Sequence, residues 1–159
     1  NTDRSRYYVG ELNGRSSKQA YMDALHISES NIINQTFHNP LGKMNGQDIC
    51  IISLKEVSGN GLCCYRQVND SDVLVLLEEQ DYNEILDETL QRIRRDFNHI
   101  SGVFSINCVF RYLLFSQEHH MEDYLKTMST LGDHAGLIGF GEHYNQQFVN
   151  QTMTCVVFE

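Results

Sequence analysis

The sequence predicts an α+β domain, with one mixed, largely antiparallel β-sheet and about three helices packed on it. Three observations carry this. Short runs rich in Val, Ile, Leu and Cys recur along the chain between turn residues, as strands do. Other stretches repeat apolar residues at the helical spacing. The segment order, β-α-β-β-β-α-β-α-β-β, mixes hairpins with crossovers, which favours α+β over a strictly alternating architecture.

Each element has a local reason. "RYYVGELNG" (Arg6 to Gly14) alternates as a strand and ends in Asn13-Gly14 turn chemistry. Ser16 or Ser17 then caps a short helix in which Tyr21, Ala24 and Leu25 share a face. His26 to Gln47 is polar and irregular and reads as one long loop. "DICIISLKEV" (Asp48 to Val57) and "LCCYRQV" (Leu62 to Val68) flank the turn "SGNG" as a hairpin does. "DVLVLLEE" (Asp72 to Glu79) is apolar on both faces and is expected at the centre of its sheet. Asp81 and Glu84 form a capping-box pattern ahead of Leu86, Leu90, Ile93 and Phe97 at helical spacing. "GVFSINCVF" (Gly102 to Phe110) follows as a strand, with Phe104, Ile106 and Cys108 on one face and Val103, Ser105, Asn107 and Val109 on the other. A helix from Gln117 to about Ser129 carries Met121, Tyr124, Leu125 and Met128 on one stripe. "GLIGFG" and "TMTCVVF" then read as short strands around a polar connection that includes Glu142, Asn145, Gln146, Gln147, Asn150 and Gln151.

Composition narrows the function classes. A chain of 159 residues, whose only proline is Pro40 and which shows no linker or repeat, is expected to form one domain over residues 1–159. Its abrupt start at "NTDRSRYY" suggests a piece of a longer protein. A net charge of −9 repels phosphate backbones and anionic lipid, so neither nucleic acid nor membrane is an expected partner. Arg92, Arg94 and Arg95 fall in the last turn of a helix, where cations favour the negative end of the dipole. The five cysteines lack framework spacing and lie mostly in apolar strands, so reduced thiols in a cytoplasmic protein are expected. No stretch approaches the length of an apolar membrane span, and Asn34, Asn69 and Asn150 open N-x-S/T triplets that matter only on a secretory route.

Catalytic and metal chemistry find little support. His119-His120 and Cys63-Cys64 are adjacent pairs whose side chains diverge, so neither chelates as a pair, and no metal is expected. Cys108 with His134 or His143 as base is conceivable only if folding joins them, and a small core thiol is the simpler reading. "GFGEH" lacks the strand-to-helix context of a dinucleotide fingerprint, so no cofactor is expected. What remains is a set of polar groups at strand ends. Arg111 follows directly on a strand and precedes the apolar "YLLF", Glu142 ends "IGFG", and Asn150 and Thr152 enter the last strand. Arg111 and Glu142 either form a structural ion pair or recognise a ligand.

At these residues the chain resembles a known family. "NCVFR" (Asn107 to Arg111), "GLIGFGEHY" (Gly136 to Tyr144) and "VNQTMTCVVF" (Val149 to Phe158) are similar to the C-terminal part of the FIST sensory domain of bacterial signal-transduction proteins. "FHNPLG" (Phe37 to Gly42) and the opening "YYVGELNGRSSKQAYMDAL" extend the resemblance from Tyr7 to Phe158. The chain departs from the family at Leu137 and Gly139, where Phe and Thr are usual, and at Phe140, where Tyr is common. The resemblance implies a cytoplasmic sensory or input module that is not an enzyme and binds a small ligand such as an amino acid. It also implies a companion N-terminal FIST half and an output signalling domain as partners. The ligand-binding residues it points to are Arg111, Glu142, Asn150 and Thr152, with Cys108, Gly139 and Phe140 beside them. Alternatives are a protein-interaction module, such as a homodimerisation domain, that binds no ligand, and a cysteine-dependent enzyme.

Overall fold

The computed structural model describes residues 2–3, 7–46, 48–145 and 147–159. Arg6, Gln47 and Gln146, which belong to the expected first strand, long loop and polar connection, lie outside the described residues. The chain divides into two compact units, Asn1–Glu78 and Glu79–Glu159. Among the described residues, no helix is long and apolar enough to cross a membrane.

The first unit is mainly antiparallel sheet. Strands β1 (Thr2–Asp3), β2 (Tyr8–Val9), β3 (Glu11–Leu12) and β4 (Arg15–Ser16) lead into α1 (Ser17–Leu25). Ser16 caps α1, its hydroxyl accepting from the Gln19 amide. Tyr21 and Leu25 turn inward, whereas Ala24 is exposed. The expected long loop is instead structured: a 3₁₀ turn (Glu29–Asn31), α2 (Ile32–Gln35) and β5 (Leu41–Asn45) lie within it. Strands β6 (Asp48–Ile52), β7 (Leu54–Ser58), β8 (Gly61–Cys64) and β9 (Leu74–Leu76) complete the unit. The strand order is β1-β2-β8-β7 in one sheet and β6-β5-β9 in another, with β3 and β4 paired separately. Val9, Tyr21, Ile32, Ile52, Leu54 and Leu62 are the buried centre.

Two expectations need correction here. The strand expected from Asp48 to Val57 breaks at the fully buried Ser53, and its halves join different sheets. The Thr36 hydroxyl, 18 residues away in sequence, accepts the Leu54 amide at 2.8 Å, diverting that donor from a continuous ladder. The strand expected at the centre, Asp72 to Glu79, shortens to β9 at a sheet edge, because β5, hidden in the supposed loop, takes the central position.

The second unit starts with α3 (Tyr82–Asp96), followed by β10 (Gly102–Cys108), α4 (Val109–Gln117), α5 (Met121–Ser129), β11 (Asp133–Gly139), β12 (Glu142–Tyr144), β13 (Gln147–Val149) and β14 (Met153–Phe158). Asp81 caps α3 by accepting from the Asn83 and Glu84 amides, which stabilises such a helix by about 1 kcal/mol. Leu86 and Leu90 are its buried residues, with Ile93 and Phe97 half-buried. β10 is central in a mixed sheet, parallel to β11 and antiparallel to β14. The parallel pair needs a crossover, which α4 and α5 supply. The expected strand to Phe110 therefore ends at Cys108, the helix expected from Gln117 begins only at Met121 as α5, and a further helix, α4, precedes it. On α5, Tyr124 and Met128 are buried but Leu125 is exposed.

The α+β class holds, with five α-helices among the described residues. The single expected sheet is replaced by several smaller ones. The polar connection is no open loop: β12 and β13 pair as a hairpin, turning through Asn145 at positive φ.

Candidate functional site

The C-terminal end of β10 gathers most of the polar groups singled out in the sequence. Cys108 is buried there, in register with Gly139 on β11, and its amide donates to the Thr152 carbonyl at 3.0 Å. The Thr152 hydroxyl donates to Oε2 of Glu142 at 2.7 Å. Glu142 is only 2% exposed, held at the start of β12 opposite Val149. Asn150 is buried just after β13. A glycine is required at position 141: its φ is +115°, and a Cβ there would lie 2.2 Å from the Phe148 ring and 2.7 Å from Oδ1 of Asn150. Phe140 does not join this group, being 90% exposed.

Arg111 comes from the first turn of α4 rather than from a strand end. Its guanidinium lies 4.5 Å from the Phe115 ring centroid and 5.5 Å from that of Tyr124, and Nε donates to Oδ1 of Asn107 at 3.2 Å. Among the described residues, no acceptor engages its Nη groups and no ion pair joins it to Glu142. The two still attract each other: burial lowers the pKa of Arg111, while Tyr124, Glu142 and Glu79 oppose that shift. Burial raises the Glu142 carboxyl above its ordinary range, opposed by the Thr152 hydrogen bond and the charge of Arg111. Oε1 of Glu142 and Oδ1 of Asn150 are buried acceptors with no donor. The two unused acceptors are buried and therefore costly to leave unmet, whereas the Nη groups of Arg111 are not among the buried unsatisfied atoms.

The raised carboxyl gives a pH signature. Its pKa in the folded chain exceeds that in the unfolded chain, so its contribution to stability is complete below pH 4.5 and is lost as pH rises through the folded value. His134, lowered by burial, contributes with the opposite sign but is common to both proteins compared. The stability of the parent minus that of Glu142→Gln, from urea denaturation, is expected to fall as pH rises from about 4 to about 7. A flat difference contradicts this account of Glu142.

A cavity of about 370 Å³ lies between the inner sheet face and helices α4 and α5. Its polar floor is Ser105, Asn107 and His134, and Phe115, Tyr124 and Tyr112 contribute aromatic wall. Ser105 Oγ and His134 Nε2 are 2.9 Å apart, and Asn107 Nδ2 donates to the Tyr124 hydroxyl at 2.9 Å. None of Arg111, Glu142, Asn150, Thr152, Cys108, Gly139 and Phe140 lines this cavity, although Asn107 and Tyr124 touch both it and Arg111. The sequence reading named His134 only as a conceivable base for Cys108 and Ser105 only as a face of its strand, and joined neither to a site. The available signal was Ser105 and Asn107 sharing with Val103 a strand face that must be buried.

The first unit holds a larger cavity, about 500 Å³, lined in part by Tyr21, Leu41, Val68 and Asp72. Its charged groups already have partners: Arg15 pairs with Asp23, and Lys43 with Asp72 at 2.7 Å. Among the described residues, no hydrogen bond joins Cys108 to His134 or His143; His134 is engaged by Ser105, and His143 packs on Phe148 at 5.2 Å.

No curated protein and no solved structure matches the chain significantly. The family model of the FIST C domain matches residues 18–145, which include all of α1 but its first residue, α3, β10 to β12 and both Arg111 and Glu142. Over most of its length, then, this chain belongs to the FIST C domain family, a family of signal-transduction sensory domains.

Proposed function

We infer that the chain is the cytoplasmic input module of a bacterial signalling protein and binds a small amino-acid-like ligand at Arg111, Glu142, Asn150 and Thr152. What supports this is the pairing of unmet needs: Nη groups without acceptors on Arg111, and buried acceptors without donors on Glu142 and Asn150. A zwitterion answers both, its carboxylate taking the guanidinium fork and its ammonium donating to the acceptors. Signalling then follows from different affinities for two arrangements of the domain, read by a companion N-terminal FIST half and an output domain.

The test is a thermal-shift and calorimetric screen across the amino acids, each hit repeated with its deaminated acid and its decarboxylated amine. At least one amino acid is expected to raise Tm, and both truncated analogues are expected to lose most of the shift. If no amino acid shifts Tm, or an analogue lacking one charge does as well, the zwitterion reading is wrong.

A second reading has its own observation. The sheet register places Ala135 and Leu137 beside Phe104 and Ile106, with Val156 and Phe158 across them, all on one face. Leu137, Val156 and Phe158 are about half exposed (49%, 55% and 51%). Such a patch fits a protein partner, and the companion half is the natural occupant. Light scattering with and without that half distinguishes heteromeric docking from self-association.

A further inference from the structure

We propose that the cavity between the inner sheet face and helices α4 and α5 is a second binding site, separate from the Arg111 cluster, for an uncharged aromatic molecule carrying one hydroxyl or similar hydrogen-bonding group.

The chemistry of the lining sets this class. Among the described residues, no formally charged side chain lines the cavity, so a charged ligand would be desolvated there without a partner. Aromatic side chains from both helices, with Met121 and Ile138, make the walls, which suit the face and edge of a planar ring. The polar groups are confined to the floor. Ser105 is almost fully buried and bonded to His134 Nε2. Burial keeps the His134 imidazole neutral near pH 7, and no partner engages its Nδ1 among the described residues. The Ser105 hydroxyl is also met by Asn107 Nδ2 and the Tyr124 hydroxyl, so the floor offers the Nδ1 of a neutral imidazole, held in place by Ser105, to a single polar substituent.

Size and access agree with this assignment. An apolar cavity of about 150 Å³ holds a benzene ring. At about 370 Å³ the present one has room for two fused or linked rings. Partly exposed Tyr112, Leu125 and Ile138 form the mouth, so the floor is reached from solvent. Gly136 keeps the floor open, because a Cβ at that position would stand 2.5 Å from Ser105 Oγ. That is a reason for glycine independent of backbone conformation, since Gly136 is not among the positive-φ residues.

The test uses naphthol, naphthalene and naphthalene sulfonate as probes of the whole chain, with binding followed by calorimetry and probe fluorescence. Naphthol is expected to bind saturably at one site per chain, several-fold tighter than naphthalene, with naphthalene sulfonate weakest. Leu125→Trp, which fills the mouth from a partly exposed position, is expected to weaken naphthol by at least about tenfold while the far-UV circular dichroism is retained. Ser105→Ala is expected to erase the preference for naphthol over naphthalene while leaving naphthalene affinity within about twofold. Absence of saturable naphthol binding to the parent overturns the proposal, as does equal binding of the sulfonate or unchanged affinity in folded Leu125→Trp. Should Leu125→Trp not fold, Ser105→Ala decides: a preference for naphthol that persists there overturns the assignment of the floor.

Discussion

Replacing Arg111 by alanine is expected to weaken the amino-acid ligand by at least about 100-fold while the ligand-free chain stays folded. Hydrogen bonds to charged groups contribute roughly 1.5–3 kcal/mol each, and a guanidinium fork on a carboxylate makes two. A loss near 3 kcal/mol corresponds to about 100-fold in affinity. The effect on stability is smaller because two contributions oppose each other. Stacking on Phe115 and Tyr124 is lost, on the order of 0.5–2 kcal/mol. Against that, a half-buried cation without an acid in direct contact is removed, which relieves a desolvation cost. The net change in unfolding free energy is expected within about 1 kcal/mol of zero. Arg111→Lys keeps the charge but loses the fork, so an intermediate loss of affinity is expected. Parent-like affinity in Arg111→Ala, by calorimetry with the ligand found in the screen, removes the carboxylate contact from the account.

Phe115→Ala is expected to be the most destabilising single change in the second unit. Phe115 is 1% exposed and its ring meets four others or their equivalents: Tyr82 and His120 at 4.9 Å, Tyr124 at 5.6 Å, and the Arg111 guanidinium at 4.5 Å. Truncating a buried Phe costs about 3–5 kcal/mol, a large part of the 5–15 kcal/mol that holds a typical domain folded. The change also removes the platform on which Arg111 rests, so ligand affinity is expected to fall with stability. Urea denaturation should show a much lower midpoint, and Phe115→Leu should recover most of it. A loss below about 1 kcal/mol would mean that the aromatic cluster collapses to fill the space.

The parts of this fold legible in the sequence are those where local chemistry and tertiary packing agree. Asp81 caps a helix whose Leu86 and Leu90 are buried, and "SGNG" joins β7 to β8. The parts that were not legible depend on partners distant in sequence. Nothing near Ser53 says that Thr36 will capture the Leu54 amide and split a strand. The run "VFRYLLF" is apolar without a clear period, so a helix beginning at Val109 looked like the continuation of β10. That misreading matters for function, because it put Arg111 at a strand end instead of over Phe115. The meeting of Glu142 with Thr152 was foreshadowed by both flanking the same polar connection. By contrast, Ser105 and His134 are 29 residues apart and meet only because β10 and β11 run parallel.

A sensor of this kind requires Arg111 and Glu142 to share a ligand. The most direct measurement is a crystal structure of the chain with the amino acid that raises its Tm most. The expected density has its carboxylate on the Nη groups of Arg111 and its ammonium on Oε1 of Glu142, with Asn150 reoriented toward it. Density placed elsewhere, or Arg111 closed directly onto Glu142 with no space between them, would contradict the account.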